Sequence, residues 1–424
     1  MRLRRRTTDQ AIHGGGIRMN LASIFEGCTL GERFKSTQGR STGFDYIRVV
    51  LALGVICWHV RVTSYGDRDP GIQYDSLADF VLLPFAIFIL PMFFSLSGFL
   101  VAGSLERCKT FLMFLGLRVL RIAPALAVAV LLSALVLGPL LTTLPLRAYF
   151  ADPELHAYFL NMVADIHYLL PGVFVSNPFP LVNGQLWTIP YELACYVALV
   201  ILAATGIFQQ RWWLFLSLMA FYAAQVANTI LRANDQMKGA GGSTLVMSFV
   251  AGLVIYRYRD RIPLSRRLFL LACAVSAALI VVPNGVRFSA LPIAYVTIYL
   301  GLKNPRRSKI VLSGDYSYGL YVYGFLTQQA LMAISAALRE WYWNLLLAIP
   351  CAIVIATGSW WLVERPALAQ RKRLSQLEAW YLTLRVNWRS TKLTPVARLT
   401  PMPALSNVEG TPEGSDFRAR RAEG

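Results

Sequence analysis

Apolar runs of about 18–24 residues recur along this chain, and that feature decides most of what it can fold into. Crossing ~30 Å of hydrocarbon at ~1.5 Å per residue takes about 20 apolar residues. A soluble helix of that length keeps a polar face, whereas many of these runs are apolar all round. Hydrophobic residues make up 56% of the chain, above the roughly 45–50% of a soluble globular protein, and the mean hydropathy is +0.49. The expected fold is an all-α polytopic transmembrane helical bundle with about ten spans. They fall at roughly 44–62, 78–101, 117–141, 186–206, 212–231, 243–257, 267–283, 288–302, 316–338 and 343–363.

Charge fixes the expected orientation. The chain carries 41 Lys+Arg against 23 Asp+Glu, a net +18. Nucleic acid would demand a basic patch on a folded surface, but here the cations sit in alternate connections between apolar runs. Arg107 and Lys109 occupy one connection, Arg259, Arg261 and Arg266 another, and Lys303, Arg306, Arg307 and Lys309 a third. The positive-inside bias places these and both termini in the cytoplasm, with the chain in the cell's inner membrane. Residues 1–43 read as a cytoplasmic extension, because the basic start is followed by polar residues rather than an apolar signal region. Residues 44–370 form the membrane domain. Residues 371–424 are a cytoplasmic tail, with disorder expected after about 394, where Pro, Gly and charge lack periodicity. The longest internal connection, 142–185, contains an apolar stretch at 157–174 that reads as a surface-lying or re-entrant helix. Six scattered cysteines form no CxxC pair and imply packing rather than metal.

Ionisable groups inside apolar spans are functional candidates by default. Arg48 and His59, eleven residues apart on the first span, fall about 20° past three full turns, on one face and ~16 Å apart along the axis. Asp45 stands three residues before Arg48 and can pair with it. Arg48 either serves chemistry or snorkels to headgroups, and His59 is either a base or an outer cap. Arg118 and Arg121 share a face at the start of the third span, which suits a diphosphate or simple interfacial anchoring. Glu192, at the outer start of the fourth, needs a partner and is either a working carboxylate or half of a structural salt bridge. Ser97-Gly98, closing the second, allows close helix approach.

Taken together these residues resemble the acyltransferase-3 family. Arg48 and His59 match its first-span signature. Phe93-Phe94-Ser95-Leu96-Ser97-Gly98-Phe99, Arg118-x-x-Arg121, Leu186-Trp187-Thr188-Ile189-Pro190-Tyr191-Glu192, Tyr316-Ser317-Tyr318-Gly319-Leu320-Tyr321 and Val363-Glu364-Arg365-Pro366 come next, in that order. The resemblance covers residues 44–370, with Gln185 replacing a frequent small residue. It implies transfer of an acyl group, usually acetyl, from cytoplasmic acyl-CoA as donor substrate to a hydroxyl of a carbohydrate, lipid-linked glycan or other exported acceptor. It assigns His59 as base or acyl relay, with the arginines assisting donor binding; Glu192 is read as orienting His59, and Arg48 with Asp45 completes the expected catalytic set. Arg118, Arg121 and Ser97 become donor-binding, with no permanently bound cofactor and no metal. The rival reading is a membrane transporter or flippase of a glycan precursor. The lack of an internal repeat and the concentration of charges in the first four spans weigh against it.

Overall fold

A computed structural model describes residues 28–66, 77–231, 241–308 and 313–393. The expected disorder after about 394 and most of the extension lie outside the described residues. Helices succeed one another as α1 (Leu30–Ser36), α2 (Thr42–Tyr65), α3 (Leu77–Arg107), α4 (Phe111–Leu131), α5 (Gly138–Leu141), α6 (Leu146–Ala151), α7 (Pro153–Tyr158) and α8 (Ile189–Ala204). They continue as α9 (Arg211–Leu231), α10 (Gly242–Tyr258), α11 (Arg266–Val281), α12 (Ala290–Gly301), α13 (Ser317–Ile334), α14 (Trp341–Ser359), α15 (Arg365–Ala369) and α16 (Arg371–Leu393). Among the described residues there is no strand, only an isolated bridge between Thr29 and Pro263. Among the described residues, those up to Gln376 form one compact unit, and those from Leu377 onward group separately.

The all-helical expectation holds, but the count of ten spans is not reached on length and apolarity. Among the described residues five helical stretches meet both criteria: Thr42–Tyr65, Ala86–Arg107, Phe111–Leu141, Gly184–Ala204 and Trp341–Leu384. The other expected segments are helices too, yet α10 and α12 are too short to qualify. Their surroundings supply the reason. Most side chains of α10, α12 and α13 are buried within the protein, and a helix enclosed by other helices need not match the bilayer by itself. The outer helices show the converse, with apolar side chains pointing away from the protein: Leu140 is 73% exposed and Val354 71%.

The close approach expected at Gly98 is present. A Cβ there would overlap the Phe249 carbonyl of α10, and one at Gly252 would overlap the Ser95 carbonyl of α3. Paired small residues therefore bring the α3 and α10 backbones together.

Two segments differ from the sequence reading. Residues 28–43 are packed rather than appended. Thr29 and Glu32 close a capping box at α1, and Phe34 sits edge-on to Phe44, Phe99 and Tyr256. Residues 157–174 are not one surface or re-entrant helix. Helical structure ends at Val163, where Ala164 takes the left-handed conformation, φ 65°. The buried Asn161 explains the stop: its Nδ2 donates to the Tyr158 and His167 carbonyls and its Oδ1 accepts from the His167 N–H. One side chain thus satisfies backbone groups that a helix would otherwise need.

Candidate active site

Five helices converge on one cavity of about 120 Å³. α2 contributes Arg48 and α3 Ser97. α4 supplies Arg118 and Arg121, α8 supplies Glu192, and α13 supplies Tyr318 and Tyr321. Phe93, Phe94 and Ile122 add apolar lining. The local causes are plain. Thr110 caps α4 by accepting from the Met113 N–H at 3.1 Å, and the three-residue spacing then puts both arginines on one face. Pro190 opens α8 and Glu192 occupies its first turn, where the positive end of the helix dipole favours a carboxylate.

The arginines differ sharply in their partners. Arg121 Nη2 lies 2.7 Å from Asp315 Oδ2 and its Nη1 3.8 Å from Glu364 Oε2. Arg48 Nη1 lies 3.7 Å from Asp315 and 3.8 Å from Asp45. Asp315, which also accepts from Ser317 Oγ at 2.8 Å, is thus the hub between α2 and α4. Burial opposes its ionisation, but Arg121 and Arg48 prevail and hold its carboxyl at about 2. Arg118 has no carboxylate within ion-pair range among the described residues. Its Nη2 donates to Ser104 Oγ at 3.2 Å, its guanidinium lies over the Tyr196 ring at 6.0 Å, and its buried Nε has no hydrogen-bond partner.

Glu192 accepts a short hydrogen bond from Tyr196, one turn along α8, whose phenol also lies 3.3 Å from Ser97 Oγ. Glu364 reaches Arg121 from the π-helical turn Trp360–Glu364 that joins α14 to α15, and Ser359 Oγ donates to it at 3.2 Å. Gln185, the departure from the family pattern, is buried and donates to the Val322 carbonyl at 2.6 Å, tying the entry of α8 to α13.

His59 and Asp45 are not among the cavity-lining residues. The imidazole packs edge-on against Phe325, centroids 5.3 Å apart, and among the described residues its buried Nδ1 makes no hydrogen bond of good geometry. Phe325 stands one turn of α13, about 6 Å of helix rise, after the cavity-lining Tyr321. Glu192 is engaged by Tyr196 rather than by His59. Five sequence candidates (Arg48, Ser97, Arg118, Arg121 and Glu192) therefore share one cavity. Asp315, Tyr196 and Tyr318 join them in the site; the sequence reading gave none of the three a role in it.

An acyltransferase domain model of the acyltransferase-3 type matches residues 41–365, well over half the chain. The chain belongs to the acyltransferase-3 family. It is accordingly an O-acyltransferase with membrane-type apolar helices. It is 26% identical over 377 residues to nodulation protein 10 of Rhizobium leguminosarum bv. viciae, covering 81% of this chain and 98% of that one. It is 23% identical over 350 residues to the O-acetyl transferase of Shigella phage Sf6, covering 78% and 97%. No solved structure gives a significant match.

Proposed function

We propose that this acyltransferase moves an acetyl group from cytoplasmic acyl-CoA to a hydroxyl of a carbohydrate or lipid-linked glycan on its way out of the cell. It would act in the inner membrane with both termini cytoplasmic. The observation that carries this reading is the convergence of Arg48, Arg118 and Arg121 on one cavity, three guanidinium groups where an anionic donor would have to be held. The phage relative's name, O-acetyl transferase, favours acetyl, and the positive-inside distribution of cations favours a cytoplasmic donor.

In this reading Arg118 takes the donor's phosphate charge, because it alone of the three has no carboxylate partner within ion-pair range among the described residues. Arg121 and Arg48, clamped by Asp315, shape the entrance together with Asp45. The arm of the donor runs past Ser97 and Glu192 toward the Tyr321 end of the cavity and so toward His59. His59 there takes the proton of the acceptor hydroxyl or carries the acyl group briefly.

Purified protein in lipid nanodiscs with labelled acetyl-CoA tests the proposal, by release of free CoA thiol and capture of label on glycan acceptors. His59→Gln keeps a polar side chain but cannot accept a proton near neutral pH. It is expected to fold like wild type and to lose transfer. Near-wild-type transfer by His59→Gln would make the imidazole structural. Absence of acceptor-dependent CoA release by wild type, under conditions where labelled glycan moves across the bilayer, would favour a transporter instead.

A further inference from the structure

One polar atom of the cavity has no partner among the described residues and no role in the proposed transfer. Tyr318 lines the cavity, and its phenol oxygen is buried with no hydrogen-bond partner among the described residues. The neighbouring phenols are all engaged. Tyr196 bonds Glu192, Tyr321 donates to the Gln185 carbonyl at 2.7 Å, and Tyr323 pairs with Ser359 at 3.0 Å. A buried donor left unmade is destabilising, so an orphan hydroxyl on a cavity wall marks where a ligand atom completes the bond.

The charge around it says what kind of atom. The Tyr318 ring stands 5.8 Å from the Arg121 guanidinium, and that cation is already matched by Asp315 and Glu364. This part of the wall therefore does not call for an anion. Arg118, whose Nε is the other orphan donor on the wall, lacks such a match. The cavity thus offers a charged donor at Arg118 and a neutral donor at Tyr318.

We infer that Tyr318 is a donor-binding residue whose phenol hydrogen-bonds an uncharged carbonyl, namely an amide carbonyl on the pantetheine arm of the acyl-CoA, while Arg118 holds phosphate. The inference rests on the acyl-CoA reading and extends it to a residue outside the arginine set. Tyr318 keeps its proton throughout; it binds the arm and takes no part in bond making or breaking.

Tyr318→Phe is the decisive variant, because the hydroxyl makes no bond among the described residues and its removal leaves the ring against Arg121. Binding of CoA itself, with no acyl group, is measured calorimetrically in nanodiscs, alongside acetyl transfer kinetics and thermal unfolding. The expected result is a roughly 3- to 10-fold weaker affinity for CoA and a similarly raised KM for acetyl-CoA, as for one neutral hydrogen bond. kcat should stay within about twofold and the unfolding temperature should not change. Unchanged CoA affinity overturns the inference, as does a large fall in kcat at unchanged affinity, which would put the phenol at the reacting carbonyl. If wild type binds no CoA, the donor reading itself fails, and this inference with it. Wild-type binding matched by Tyr318→Phe defeats only the inference.

Discussion

Gly98→Ala is expected to destabilise the membrane domain strongly although it adds a single methyl group. The added Cβ would overlap the Phe249 carbonyl oxygen, and it would also stand 3.0 Å from the carbonyl carbon and 3.2 Å from the Phe249 Cα. All three atoms are backbone, so no rotamer change relieves the contact and α3 and α10 must separate. Overpacking costs about 1–3 kcal/mol where side chains can yield, and a backbone obstacle puts this site at about 3 kcal/mol. At roughly 2 °C per kcal/mol for a large domain, the unfolding temperature should fall by about 6 °C. The displacement would also reach the cavity, since α3 carries Ser97 and Phe249 of α10 packs on Tyr196 at 6.3 Å. Thermal unfolding in detergent, monitored by tryptophan fluorescence, measures it. Gly358→Ala is the control, because nothing lies within 4 Å of the Cβ it would add; it should be neutral or stabilise by up to ~1 kcal/mol through helix propensity. A Gly98→Ala protein as stable as wild type would show that the α3 and α10 backbones do not meet closely.

The two arginines of α4 should separate experimentally. Arg118→Ala should weaken CoA binding about 10- to 100-fold with little loss of stability, since it removes a charge-assisted bond to ligand worth roughly 1.5–3 kcal/mol. Arg121→Ala should instead cost about 3 kcal/mol of stability by leaving the buried Glu364 without its cation and Asp315 with Arg48 alone; equal effects of the two variants in binding and unfolding assays would refute the distinction. The Asp315 hub has a definite acid limit. Its folded value, about 2, lies below the ordinary ~3.9 of an aspartate, so its contribution is complete above about pH 4 and disappears as pH falls through 2. The stability gap between wild type and Asp315→Asn should be constant from about pH 5 to 8 and shrink only below 4; a gap that changes between pH 6 and 8 would contradict this assignment.

The helices are legible in the sequence because runs of apolar residues have one economical structure in a bilayer, and the arginines are legible because cations in such runs demand a reason. How those cations are matched is hidden. Asp315 looks like an isolated acid before an apolar run, and nothing local marks it as the partner of Arg48 and Arg121, which reach it from distant segments. Glu364 is visible within Val363-Glu364-Arg365-Pro366, but its role depends on the π-helical turn that aims it, which has no residue signature. Tyr196 does leave a signal, four residues after Glu192 and so on the same helix face. The helix expected at 157–174 does not form as such because apolarity alone takes no account of the backbone-satisfying side chain of Asn161.

The turn at Trp360–Glu364 implies an unusual pattern of tolerance to change. A π turn holds one more residue than the α turn it replaces, and losing that residue would close it into an ordinary α turn. Trp361 and Leu362 point outward, 45% and 80% exposed, while Glu364 is 1% exposed. Substitutions at the two outward positions should be absorbed by the surroundings, whereas a residue inserted ahead of Glu364 would turn it about 100° around the helix and away from Arg121. In this stretch the number of residues, more than the identity of most of them, is what natural variation is least free to alter.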